Sequence, residues 1–232
     1  MKKKLVVLTG AGISAESGIM TFRDTGGLWE NHNIEDVATP EGWQRNPALV
    51  LRFYNERRAK AASVAPNAGH KALVDLEKYF DVRIITQNVD GLHEKAGSSN
   101  VLHLHGELSK VRSVTNENLI SDIGSKAIEL GDLAEDGGQL RPHIVWFGEM
   151  VPAIEDATDI CLNADIFAVI GTSMQVYPAA GLIGFVSEDA PKYIIDPHLP
   201  EVSSEYKNVH FISETATVGV PRFAEILIKN YL

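Results

Sequence analysis

The chain has 232 residues, 44% of them hydrophobic and 22% charged, with a net charge of −10. Those proportions fit a folded globular chain and exclude disorder, collagen or coiled coil as whole-chain descriptions. The acidity argues against nucleic acid or an anionic membrane as partner and favours a basic, lysine-bearing one. One cysteine, Cys161, allows neither an intrachain disulfide nor a zinc site built on several thiolates.

Lys2-Lys3-Lys4 followed by Leu5-Val6-Val7-Leu8 has the charge pattern of a signal peptide, but the apolar run stops at Thr9-Gly10. No stretch approaches the ~20 apolar residues of a membrane span, so a soluble cytoplasmic protein is the expectation. Leu5–Leu8 instead predicts a buried strand. Gly10-Ala11-Gly12-Ile13-Ser14-Ala15 follows it directly and fits G-x-G-x-x-G/A. In that pattern the first glycine makes a tight turn, the second admits a pyrophosphate, and a helix N-terminus faces the anion. A glycine turn that merely joins strand to helix is the structural alternative. The acidic second strand of an ordinary dehydrogenase is missing, because Thr21–Trp29 reads as a loop.

A helix opens at Asn46-Pro47, with Val50, Phe53, Tyr54, Arg57 and Ala61 on one face and Arg52 and Arg58 nearer its flanks. Leu73, Leu76 and Phe80 mark another helix. Val82–Ile85 predicts a second strand, which exits into Thr86-Gln87-Asn88-Val89-Asp90-Gly91. Polar groups there occupy the ligand-binding end of an open α/β sheet, or form a simple Asx turn. In His103-Leu104-His105-Gly106-Glu107, a period of two places both histidines on one side of a strand. An imidazole beside such a crevice suits a general base, since its pKa lies near neutrality. Residues 109–141 are polar and weakly periodic. Strands are expected again at Ile166–Ile170, running into Gly171-Thr172-Ser173, and at Tyr193–Ile195 and Val209–Ile212. Pro221 is read as the opening residue of a final helix buried through Phe223, Ile226 and Leu227. The pattern predicts an α/β fold: a Rossmann-like parallel sheet with helices on both faces plus a small inserted lobe. The larger domain is assigned to residues 1–24, 63–108 and 142–232, and the small lobe to 25–62 and 109–141.

Gly10-Ala11-Gly12-Ile13-Ser14, Ser17-Gly18-Ile19, Phe22-Arg23, Gln87-Asn88-Val89-Asp90, His105-Gly106 and Gly171-Thr172-Ser173 occur in the order and spacing of the sirtuins. Over essentially its whole length the chain resembles this family of NAD-dependent protein-lysine deacylases. The resemblance implies NAD as cofactor and acyl-lysine proteins or peptides as substrate, with nicotinamide and O-acyl-ADP-ribose released. It implies catalytic roles for His105, Asn88 and Asp90, with His105 the base. It implies NAD contacts from Gly10, Ala11, Gly12, Ile13, Ala15, Glu16, Thr21, Phe22, Arg23, Trp29, Gln87, Asn88, Val89, Asp90, His105, Gly171, Thr172, Ser173, Asp196 and Ala216. Val145, Trp146, Phe147, Gly148 and Glu149 would hold the acyl-lysine, by strand addition and apolar walls. Family members usually carry four zinc-binding cysteines where this chain has Ser109–Leu140, so no zinc is expected. Asp196 and Thr215-Ala216 also depart from the usual residues.

Arg57, inward on an apolar helix face, needs a partner. Snorkelling or a structural ion pair is one reading. The other is a carboxylate receptor, in which the planar guanidinium grips an acyl carboxylate and Tyr54 adds a hydroxyl. The Tyr-x-x-Arg pair resembles that of class III sirtuins, which implies removal of succinyl, malonyl and glutaryl groups besides acetyl. An NAD hydrolase or ADP-ribosyltransferase on the same fold, a mainly deacetylating enzyme, and an inactive ADP-ribose-binding module are the alternatives.

Overall fold

The computed structural model describes residues 2–20, 28–29, 32–200 and 202–231. Strand β1 is Lys4–Thr9, followed by a single helical turn, α1 (Gly12–Ala15). Two-residue strands β2 (Leu28–Trp29) and β3 (His32–Asn33) pair antiparallel. Helices α2 (Ile34–Val37), α3 (Pro40–Arg45), α4 (Pro47–Ser63) and α5 (Ala68–Leu76) come next. Then follow β4 (Asp81–Thr86), α6 (Leu92–Ala96), β5 (Val101–His103), β6 (Gly106–Ser113), β7 (Ile120–Asp122) and β8 (Leu140–Ile144). The chain continues through α7 (Ile154–Leu162), β9 (Ile166–Ile170), a 3-10 helix (Ala179–Phe185), β10 (Lys192–Ile195), β11 (Val209–Ile212) and α8 (Ala216–Tyr231).

All five apolar runs form strands of one parallel sheet, ordered β11-β10-β9-β1-β4-β5. Its faces show why β1 is apolar throughout. Leu5 and Val7 pack with α5 and α8, while Val6 and Leu8 pack with α7 and the 3-10 helix. Successive side chains point to opposite faces, so a strand covered on both sides cannot alternate with polar residues. The chain runs from β1 outward to β4 and β5, then returns across β1 to β9. That reversal opens a crevice at the carboxyl ends of β1 and β9.

A second sheet, β7-β6-β8, is antiparallel and begins at Gly106. Helix α4 lies against it. Val50, Phe53 and Tyr54 join Leu108, Ile144 and Trp146 in one cluster, and Leu51 joins Val111 and Ile128 in another. The Asn46 side chain caps α4 by accepting from Leu49 N–H (3.1 Å), and Pro47 stands where no hydrogen bond is lost. Lys95 Nζ donates to the carbonyls of Ala61 and Ala62 near the helix's other end.

Several local expectations change. Helix α8 begins five residues before Pro221, and Pro221 lies inside it. The helix starts early because Glu16, from the other end of the chain, accepts from Thr217 N–H (2.9 Å) and Thr217 Oγ1 (2.6 Å). Strand β5 ends at His103, so the two histidines are not on one strand. Arg58 is not a flank residue: it is 2% exposed, deeper than Arg57 at 7%. Its Nε donates to Leu108 O (2.5 Å) and its Nη1 to Asn55 Oδ1 (2.7 Å), which ties α4 to the second sheet.

Candidate functional site

The residues that leave β1, β4, β9 and β10 line one cavity of about 990 Å³. Its floor is two strand exits laced back to back. Gly10 N–H donates to Ile170 O (3.0 Å) and Gly12 N–H to Gly171 O (2.8 Å). A Cβ on Gly12 would stand 2.6 Å from Gly171 Cα, and one on Gly171, at φ +63°, would overlap Ile13 N. Glycine is therefore required for the approach of the two turns, and bare backbone forms the floor. Helix α1 is one turn long, so its dipole adds little. The Ile13 side chain is buried in the sheet core and does not line the cavity, which leaves only its backbone for a ligand.

The exit of β4 supplies the polar wall. Asn88 Nδ2 donates to Gly10 O (3.1 Å) and Ser14 Oγ (3.2 Å), binding this loop to the glycine turn. Asp90 is buried, with Oδ1 accepting from Leu92 N–H (3.0 Å) and Oδ2 from Ser14 Oγ (3.0 Å). Burial raises its pKa despite these bonds. Gln87 Nε2 donates to Thr172 Oγ1 (3.1 Å), joining the exits of β4 and β9.

His105 lines the same cavity. Its Nδ1 lies 3.0 Å from Gln87 O, which can only accept, so Nδ1 carries the proton and Nε2 keeps the lone pair. Burial holds its pKa below the ordinary imidazole value, so the ring is neutral at pH 7. A neutral imidazole with a bare Nε2 is a general base in its working protonation state. His103 lies outside the cavity lining. Its Nδ1 is 3.1 Å from Asn88 O and its Nε2 2.8 Å from Glu94 Oε1. Burial lowers its pKa, but the Glu94 carboxylate prevails and the net shift is upward.

Tyr54, Arg57, Val145, Phe147, Gly148 and Glu149 belong to the cavity wall as well. Tyr54 is fully buried, and its hydroxyl accepts from Trp146 Nε1 (3.1 Å). Burial pushes its pKa up, so it remains a phenol. The Arg57 guanidinium carbon stands 5.5 Å from the Phe53 ring centre. Glu149 is committed elsewhere: it accepts from Arg141 Nη1 (2.8 Å), from Arg112 Nη2 (3.3 Å) and from Trp146 N–H (2.8 Å). Arg141 in turn stacks 3.3 Å over the Trp146 ring. The Glu149 carboxylate thus holds the loop that presents Trp146 and Phe147.

Gly10, Ala11, Gly12, Ala15, Glu16, Gln87, Asn88, Val89, Asp90, Gly171, Thr172, Ser173, Asp196 and Ala216 all contribute to the same lining. Thr21, Phe22 and Arg23 lie outside the described residues, as does the side chain of Trp29. Trp146, which the sequence reading placed in the same segment as Val145 and Phe147, lines the cavity too, and its indole contacts both Tyr54 and Arg141. Lys60, Gln175, Tyr177 and His198 were not read as site residues, because they reach the cavity through tertiary placement.

Among the described residues, no group of three or more His, Cys, Asp or Glu could hold a metal ion, and no helix is long and apolar enough to cross a membrane. Cys161 is buried in the sheet core. The segment after β6 is held by polar contacts. Asp136 accepts from Ser113 Oγ (2.9 Å), Thr115 Oγ1 (2.5 Å) and Gly138 N–H (3.0 Å). Asn55 Nδ2 donates to Ile128 O (2.8 Å) while its Oδ1 accepts from Ile128 N–H (3.1 Å).

A doubly covered parallel sheet, a reversal crevice walled by glycine turns and a neutral histidine define an α/β protein of the nucleotide-binding class. The chain belongs to the Sir2 family, whose model matches residues 10–178. An NAD-dependent protein deacylase of Bacteroides thetaiotaomicron is 54% identical over 97% of this chain and 98% of its own length. One from Helicobacter pylori is 55% identical over 98% of each chain, and one from Vibrio cholerae 47% over 97% and 94%. Among solved structures, a Sir2 homolog–NAD complex superimposes with TM-score 0.86 at 36% identity, covering 98% of this chain and 90% of that one. A Sir2–p53 peptide–NAD complex gives 0.78 at 28%, covering 98% and 93%.

Proposed function

We propose that the chain is an NAD-dependent protein-lysine deacylase that removes succinyl and malonyl groups as well as acetyl. One observation carries this reading: the glycine turn, His105 and the Tyr54/Arg57 pair stand in the walls of a single cavity. Its volume of about 990 Å³ lies at the upper end for small-molecule pockets, as a dinucleotide and an acyl chain together require. The curated relatives at 47–55% identity carry the deacylase name, and similar structures hold NAD or a peptide.

The residues present fit NAD. The turn at Gly10–Gly12 offers backbone that a Cβ would block, and Gln87, Asn88, Thr172, Ser173 and Asp196 add polar groups. Bound there, NAD would supply an electrophilic anomeric carbon with nicotinamide as its leaving group. Asn88 and Asp90 would hold its sugar side, and Ala216 and Asp196 the far end. His105 Nε2 takes a hydroxyl proton, with Gln87 O stabilising the imidazolium through Nδ1–H. Trp146, Phe147 and Tyr54 surround the lysine and acyl chain and exclude water. Arg57 binds a terminal acyl carboxylate, and Tyr54 lies one turn before it on α4. In this reading residues 1–24, 63–108 and 142–232 form the NAD-binding domain, and residues 25–62 and 109–141 the smaller lobe. That lobe folds without zinc, through the contacts of Asp136, Asn55 and Arg58.

The test is mass spectrometry of acetyl-, malonyl- and succinyl-lysine peptides with and without NAD. The expected result is NAD-dependent loss of all three groups, with the dicarboxylic chains turned over at least as well as acetyl. NAD cleavage without deacylation of any peptide would instead identify an NAD hydrolase.

A further inference from the structure

Behind the cavity lie two histidines that the reaction does not use. His70 and His93 are both buried, their ring centres 5.0 Å apart and their planes inclined at 62°. Each ring bonds through one nitrogen. The other two, His70 Nε2 and His93 Nδ1, are buried without a partner.

The bonds that are made determine the tautomers. His70 Nδ1 accepts from Asn67 N–H (3.3 Å), which puts the His70 proton on Nε2. Thr9 Oγ1 donates its one proton to Thr86 Oγ1 (2.8 Å). His93 Nε2, 3.0 Å from Thr9 Oγ1, must then be the donor, and His93 Nδ1 is bare. The two unbonded nitrogens are therefore a donor and an acceptor, on rings set edge to face. The ring centres stand 5.0 Å apart, and no direct bond joins the two nitrogens. Buried polar atoms left unpaired are unfavourable, so a donor and an acceptor on facing rings favour a link between them.

The connection has functional ends. Thr86 Oγ1 also accepts the Asn88 backbone N–H (3.1 Å), and the Asn88 side chain grips Gly10 O and Ser14 Oγ. At the other end, Asn67 Nδ2 donates to Ile13 O (2.8 Å) and Ser17 Oγ (3.0 Å). Two bonded segments, Asn67–His70 and His93–Thr9–Thr86–Asn88, thus reach the glycine turn from opposite sides and meet at the facing rings.

We propose that His70 and His93 are positioning residues: the donor on one ring pairs with the acceptor on the other, and with Thr9 and Thr86 the two complete a buried hydrogen-bond relay that fixes Asn88 and the glycine turn from behind. The kinetic consequence rests on the deacylase reading of the cavity; the relay itself does not.

The test uses the full chain in three variants. His93→Leu removes the donor to Thr9, His93→Gln keeps an N–H at the Nε2 position, and Thr86→Val removes the shared oxygen at constant shape. Amide exchange at Asn88, read by NMR, should rise roughly 10-fold in His93→Leu and Thr86→Val, with the central amides of β1 unchanged. Turnover number on an acyl-lysine peptide should fall roughly 10-fold with peptide KM unchanged, as expected for a misplaced site group. His93→Gln should restore both to within about threefold. Unchanged exchange in the two blocking variants overturns the relay. So does a His93→Gln protein as impaired as His93→Leu, since volume alone would then explain the loss. If His93→Leu does not fold, Thr9→Val decides, since it cuts the link to His93 and leaves the Asn88–Thr86 bond in place. If the wild-type chain deacylates nothing, the deacylase reading fails while amide exchange still judges the relay.

Discussion

Arg57 is where substrate choice is most open to experiment. Its side chain is 7% exposed, on a helix face shared with Val50, Phe53, Tyr54 and Ala61, and it reaches the cavity wall. A guanidinium this desolvated binds a carboxylate strongly, and losing the fork leaves the carboxylate buried and unmatched. Arg57→Met preserves most of the stem and its packing on Phe53 while deleting the charge. Breaking a desolvated ion pair costs roughly 2–4 kcal/mol, or about 30- to 800-fold in kcat/KM for a succinyl-lysine peptide. An acetyl group has no carboxylate, so its kcat/KM at saturating NAD should hold or improve. Tyr54→Phe should show the same selectivity with a smaller loss. It also strips the acceptor from Trp146 Nε1, so it should cost about 1–2 kcal/mol of stability besides. The comparison is of both peptides, for both variants, at saturating NAD. Equal depression of succinyl and acetyl turnover by Arg57→Met would make Arg57 a structural residue and refute the carboxylate reading.

Three further outcomes are expected. His105→Ala should lose 10²–10⁴ in deacylation rate while still binding NAD, measured by calorimetry beside steady-state kinetics; because burial lowers the His105 pKa, the acid limb of kcat/KM should lie below the ordinary ~6.5. His70 and His93 have their pKa values lowered to about 4 and about 3 by burial, so below ~6.5 the unfolded chain takes up protons that the folded one refuses, and stability falls from there toward pH 4 and below. At pH 5 each ring should account for about 2 kcal/mol of that loss, and urea titrations at pH 7 and pH 5 should find His93→Gln losing about that much less than wild type. Chelator should leave melting temperature and turnover unchanged, with no stoichiometric zinc by elemental analysis; a zinc at unit occupancy would show other ligands in place of thiolates.

The parallel sheet was legible because its strands are buried on both faces and therefore read as unbroken apolar runs at Leu5–Leu8 and Ile166–Ile170. The cap of α4 was legible because Asn46 and Pro47 act within one turn of it. What escaped depends on distant partners. Nothing near Ala216 announces a helix start, since the cap is Glu16, 201 residues away. Arg52 and Arg58 look alike in sequence, and only the position of Leu108 O decides that Arg58 turns inward. Most of the antiparallel sheet fell in sequence read as polar and weakly periodic, because β7 is exposed throughout and pairs over only three residues. In the site, residue types at strand exits were readable, and their commitments were not. Glu149 lines the cavity, but its bonds to Arg112 and Arg141 could not be read from the sequence.

The position of His105 follows from the junction of the two sheets. The chain leaves the parallel sheet at His103 and enters the antiparallel one at Gly106, so His105 belongs to neither. Gly106 has φ +80°, and a Cβ there would overlap His143 O, so the crossing admits no other residue without displacing β8. The His105 ring bonds Gln87 O, at the exit of β4. The His105 carbonyl accepts from Val145 N–H (3.0 Å), where β8 runs out toward Trp146 and Phe147. One residue is thus registered by its side chain to the wall that carries Asn88 and by its backbone to the wall that carries Trp146 and Phe147. In the proposed reaction His105 moves a proton between groups held by these two walls, which needs both references, and the His105-Gly106 pair supplies them in two consecutive residues.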